Sequence, residues 1–139
     1  MRLSEDNAAN LNRGTSMKVL GPILAEKYGL EFGKTRDVDE MLACLHSGGE
    51  VIVNVGSKGD GCVALFTSGK HYMVILAVDG DQVCILDPGF RPASNYLKEE
   101  LKHLVRLESP FLYCSLDTLM KEVQDCEFYF YLFKRKTGE

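Results

Sequence analysis

The sequence predicts an α+β domain, with helices first and a twisted antiparallel sheet after them. Three observations carry this. Apolar residues recur at helical spacing between Thr15 and Leu45. The run from His71 to Pro88, H-Y-M-V-I-L-A-V-D-G-D-Q-V-C-I-L-D-P, reads as two strands about an Asp-Gly turn. The segment from Glu127 to Lys134, E-F-Y-F-Y-L-F-K, reads as a final strand that adds to the sheet.

Residues 1–14 are polar, with few apolar anchors, and are expected to be loosely ordered; residues 15–139 form a single domain. Met17, Leu20, Leu24 and Tyr28 share one helical face. Pro22 lacks an amide donor, so two arrangements stay open. Either Thr15 or Ser16 caps a helix that bends at Pro22, or a short helix starts there after Gly21. Gly29 ends it. Asp37 caps the clearest helix, with Glu40 three residues on as in a capping box. Its apolar stripe is Val38, Met41, Leu42 and Leu45, and Gly48-Gly49 stops it.

Glu50 to Val55 is β-branched and reads as a strand. G-S-K-G-D-G follows as a loop, then a short strand over Cys62 to Phe66. His71 to Val78 is the central strand, with Met73, Ile75 and Ala77 on the face of His71 and Tyr72, Val74, Leu76 and Val78 on the other. Ser94 or Asn95 is placed to cap a helix carrying Leu97, Leu101, Leu104 and Val105. Ser115 caps another with Leu116, Leu119, Met120 and Val123.

The totals exclude several classes. The chain has 139 residues, 45% hydrophobic and 26% charged, which is enough for one core. A net charge of −4 argues against nucleic acid, whose phosphates need a basic surface. There is no apolar run long enough for a membrane span, and the N-terminus lacks the apolar centre of a signal peptide. The chain as given is therefore expected in the cytoplasm, although a longer parent could be secreted. Five cysteines in no C-x-x-C spacing fit reduced thiols better than disulfides or zinc. The spacing of the three histidines matches no metal motif, and the loop at 56–61 joins strands and is no phosphate loop, so no metal or cofactor is expected.

The candidate site is His71 with Asp87. A hairpin brings its open ends together, and an imidazole held by a carboxylate is the base half of a nucleophilic triad. Parity decides whether they meet. A two-residue turn at Asp79-Gly80 sets His71 and Asp87 on opposite faces. A three-residue loop, Asp79-Gly80-Asp81, sets Asp87 opposite Met73 and makes the pair diagonal neighbours, roughly 7 Å apart at Cα. The odd loop is the expectation. Each residue alone also has a plain reading: His71 as a half-buried histidine at a strand edge, Asp87 as the start of a turn.

The segment F-T-S-G-K-H-Y-M-V-I-L (66–76), with D-G-D (79–81) and V-C-I-L-D-P (83–88), resembles the His/Asp hairpin of papain-like cysteine peptidases of the bacteriocin leader-processing, or double-glycine, type and their bacterial relatives. G-T-S at 14–16, Y-G-L at 28–30 and the helix and strand from Asp37 to Val55 resemble the same family. The resemblance implies a papain-like fold, hydrolysis of a peptide or protein substrate through an acyl-thioester, His71 as general base and Asp87 as the residue that orients it.

The family's nucleophile is a cysteine opening a helix ahead of the G-T-S segment, with a glutamine nearby as oxyanion donor. This chain has neither in that place; its first cysteine is Cys44 and Gln82 lies in the hairpin turn. Cys44 sits mid-helix, without a terminus to lower its pKa, and Cys62 reads as a small apolar strand residue. Three readings follow. The chain is a peptidase domain that begins after its catalytic helix and is inactive alone, a non-catalytic peptide- or partner-binding module on the same fold, or an unrelated α+β domain with a structural His71. A missing helix would leave an apolar sheet face through which the chain could form a homo-oligomer.

Overall fold

The computed structural model describes residues 17–90 and 94–135. The expectations for residues 1–14, and for Thr15 or Ser16 as a cap, lie outside the described residues. The elements run α1 (Met17–Tyr28), β1 (Leu30–Thr35), α2 (Val38–His46), β2 (Glu50–Val55), β3 (His71–Asp79), β4 (Gln82–Leu86), β5 (Arg106–Glu108), β6 (Phe111–Ser115), α3 (Leu116–Glu122) and β7 (Phe130–Arg135). The strands form one antiparallel sheet in the order β1-β7-β2-β3-β4-β6-β5. The α+β class follows from these elements. No described helix is long and apolar enough to cross a membrane.

Helix α1 runs through Pro22 without ending there. Packing offsets the lost backbone bond: Leu20, Leu24 and Ala25 are buried against Tyr131 and Phe133. Gly21 makes the approach possible, since a Cβ there would stand 2.1 Å from the Phe32 ring. Gly29, at φ 69°, turns the chain into β1.

Helix α2 starts on Asp37, whose side chain accepts the Asp39 amide at 2.8 Å. The capping box is modified. Thr35 Oγ1 accepts the Asp37 amide at 3.0 Å and donates to Glu40 Oε1 at 2.8 Å, so a hydroxyl stands between the two groups. Helix α3 is capped as expected by Ser115, which accepts the Thr118 amide at 3.0 Å.

Alternation along the strands makes two apolar layers. On one face Val51, Val53, Val55, Met73, Ile75, Val83, Ile85, Leu112, Cys114, Phe130 and Leu132 form the main core with Met41 and Cys44 of α2 and Leu119 of α3. On the other, Ile52, Tyr72, Tyr131, Phe133, Leu30 and Phe32 pack with α1. Helix α1 does not reach the far wing of that face, where Leu76 and Phe111 are exposed.

Four expectations are corrected. Cys62 to Phe66 is no strand: Ala64 takes a positive φ of 56°, which breaks the extended run. The helix over Leu97 to Val105 is replaced by 3₁₀ turns at Asn95–Leu97 and Lys102–Leu104, and β5 begins at Arg106. The four apolar residues still face the core, so their spacing reported burial and not helix length. The final strand adds to the sheet as expected, between β1 and β2, but the helices do not all come first: β1 lies between α1 and α2, and α3 between β6 and β7. In β3, Val78 joins the core face while Leu76 and Ala77 are exposed, because the alternation shifts after Ile75.

Candidate functional site

The hairpin brings the predicted pair together by a route other than the expected one. Asp79 pairs with Gln82, so the turn has two residues, Gly80 and Asp81, and not the three of the expected loop. Gly80 supplies a φ of 60° at the position where a type II′ turn takes glycine. The odd residue sits inside β3. Register shifts between Ile75 and Ala77, and Leu76 bulges out. Beyond the bulge Val74 faces Leu86, and one step further Met73 comes opposite Asp87. That is the parity a three-residue loop would have set, and His71 and Asp87 share the core face at its rim.

His71 Nε2 lies 2.6 Å from Asp87 Oδ1. The same oxygen accepts the Gly89 amide at 2.8 Å, and Oδ2 accepts the Tyr96 hydroxyl at 2.7 Å. The Asp87 side chain is 4% exposed and that of His71 25%. Burial pushes the Asp87 carboxyl up, but the hydrogen bonds from His71, Tyr96 and Gly89, with the attraction of His71, outweigh it and hold the carboxyl below its ordinary value. An ionised carboxylate only accepts, so Nε2 carries the proton. A neutral ring with that proton has its lone pair on Nδ1. Burial and the bond to Asp87 push Tyr96 well above its ordinary value, keeping it a donor.

Around the pair is a cleft of about 310 Å³, lined by Phe66, Thr67, Ser68, Gly69, Gly89 and Asn95 among others. The loop between β2 and β3 forms one wall and the chain after Asp87 the other. Lys70, just before His71, donates to the Asp125 carbonyl at 2.7 Å and fixes the entry to β3.

None of the five cysteines lines this cleft. Cys44 is fully buried in α2, and burial pushes its thiol up. Burial likewise raises Cys62, Cys126 and Cys114, the last to about 12. Cys84 lies on the outer face between Ala77 and Tyr113, away from Asp87. Raised values are the reverse of what activates a thiol nucleophile.

Three participants escaped the sequence reading. Gly89 had a signal in the D-P-G run: a Cβ there would stand 2.7 Å from His71 Cε1. Tyr96 is fully buried, with its ring beside those of Phe66 and Phe90, and only the isolation of one aromatic in S-N-Y-L marked it. Asn95 donates through Nδ2 to Ala64 O and to Ser68 Oγ, both at 2.9 Å, joining the two walls. No family model, curated protein or solved structure matches this chain.

Proposed function

We propose that this chain is the base-bearing part of a papain-like cysteine peptidase, in which His71 Nδ1 takes a proton from a thiol and Asp87 holds the imidazole. The observation that carries the reading is the 2.6 Å contact between Nε2 and a buried carboxylate held ionised by two further donors. The cleft beside the pair is where a peptide carbonyl would lie. The placement of the five cysteines favours a corollary: the chain alone binds peptide without cleaving it, because no thiol of its own reaches His71.

The test puts a thiol into the cleft. Ser68 shares it with His71 and is exposed. In Ser68→Cys the new thiol is expected to be alkylated by iodoacetamide near pH 6.5 at least about tenfold faster than an ordinary free thiol, as thiolate formation beside an imidazolium requires. The excess is lost on adding His71→Ala. A Ser68→Cys thiol whose rate is indifferent to His71 overturns the reading.

A further inference from the structure

Glu122 is one of the most deeply buried carboxylates described, at 1% exposure, and it has no part in the His71–Asp87 pair. It closes helix α3 and holds the loop after β2 at two places. Its backbone carbonyl accepts the Gly56 amide at 2.8 Å, where β2 ends. Its side chain accepts the Val63 amide on Oε2 at 3.0 Å and the Leu65 amide on Oε1 at 2.7 Å. The residue between those two amides is Ala64, the one non-glycine residue at positive φ among the described residues.

A left-handed alanine is unfavourable alone and persists where its surroundings fix it. Here the fixing group is identified. Turning Ala64 aims both flanking amides at one carboxylate and sends its own carbonyl the other way, to Asn95 Nδ2. The same Nδ2 reaches Ser68 Oγ, in the wall of the cleft. A continuous set of hydrogen bonds therefore runs from Glu122 through Ala64 and Asn95 to the residue facing the cleft. Leu65 and Phe66, which follow the turn, are buried and anchor the loop to the core.

We propose that Glu122 is a positioning residue for the His71 cleft: its carboxylate sets the Ala64 turn, and the turn, through Asn95, sets the Ser68–Gly69 wall. This holds whatever chemistry the cleft performs and does not rest on the peptidase reading.

The test is nuclear magnetic resonance on the full chain carrying Glu122→Gln, which keeps the side chain's shape but leaves one acceptor oxygen for two amides. Amide exchange at Val63 and Leu65 should rise at least about tenfold, as a lost buried hydrogen bond implies. The Ser68 and Gly69 amide signals and the His71 ring signals should move with it. Leu119→Ala weakens the same helix through the core and should move none of these. Should Glu122→Gln fail to fold, Asn95→Ala cuts the set further along: Ser68 and Gly69 should move while Val63 and Leu65 stay protected. The proposal is overturned if Ser68, Gly69 and His71 keep their positions in the Glu122 variant, if Leu119→Ala moves them equally, or if Asn95→Ala leaves the wall unmoved.

Discussion

Gly89 lies against the imidazole of His71, so close that a Cβ would stand 2.7 Å from Cε1, 3.0 Å from Nε2 and 3.3 Å from Asp87 Oδ1. The ring and the carboxylate fill the space that any side chain would need. Gly89→Ala is therefore expected to push His71 off Asp87. The cost should be about 1–3 kcal/mol, as for other added methyl groups in tight sites. Urea denaturation measures the cost, and the His71 ring proton signals report the broken contact. A variant with unchanged stability and unchanged ring signals would contradict this geometry.

Tyr96→Phe tests the other oxygen. Phenylalanine keeps the ring among Phe66 and Phe90 but leaves Oδ2 of a buried carboxylate without its donor. Such an oxygen costs about 1–3 kcal/mol. The Asp87 carboxyl should rise, and the acid midpoint of unfolding should move to higher pH. The wild-type phenol is held above its ordinary value of 10.0, so folding favours its protonated form. That contribution is present below pH 10 and fades as pH climbs beyond it. Tyr96→Phe should therefore also flatten the alkaline limb.

The acid limb belongs in part to Asp87. Its carboxyl is held below the ordinary 3.8, so folding favours the ionised form. The resulting stability is complete above about pH 4, the unfolded value, and is lost as pH falls through the lower folded value. Asp87→Asn removes that dependence. Thermal melts between pH 2 and 7 should show a shallower acid fall for the variant than for wild type.

That His71 and Asp87 meet was legible, because a hairpin closes on its open ends. The route between them was not. Leu76 is one apolar residue in an unbroken apolar run, and nothing in H-Y-M-V-I-L-A-V-D marks where alternation slips. Asp-Gly pointed correctly to a hairpin, but the pairing of Asp79 with Gln82 depends on how β4 sits against β6 as well as β3. Strands β5 and β6 are short, at three and five residues, and their pattern competes with helical spacing nearby. Tyr96 and Asn95 act through partners 9 and 31 residues away, a distance no local period reports.

Because Leu76 is the surplus residue, deleting it should spare the site. Ile75 already faces Ile85 and Ala77 already faces Cys84, so removal closes the ladder with every other pair kept. His71 and Asp87 should remain in contact, with their ring and amide signals little changed. Loss of the pair on deletion would mean that the bend at Leu76, and not parity alone, brings them together.

The thiols give the last expectation. Cys44, Cys114 and Cys126 are buried and held above their ordinary values, so they should react with iodoacetamide at pH 7.5 only as fast as the chain opens. Their labelling rates should rise together with urea, as amide exchange in the core does.

The position of β7 bears on how the molecule is made. The helix α1 and strand β1 are made before the other described elements, yet β1 pairs in the sheet with β7, the last strand described. The His71–Asp87 hairpin can close as soon as it is synthesised, since its strands are neighbours in sequence. Helix α1 and strand β1 must wait for β7 before they find their place in the sheet. A nascent protein stalled before Phe130 would thus carry a formed His71–Asp87 contact beside an undocked N-terminal wing, with Leu20 and Leu24 open to chaperones.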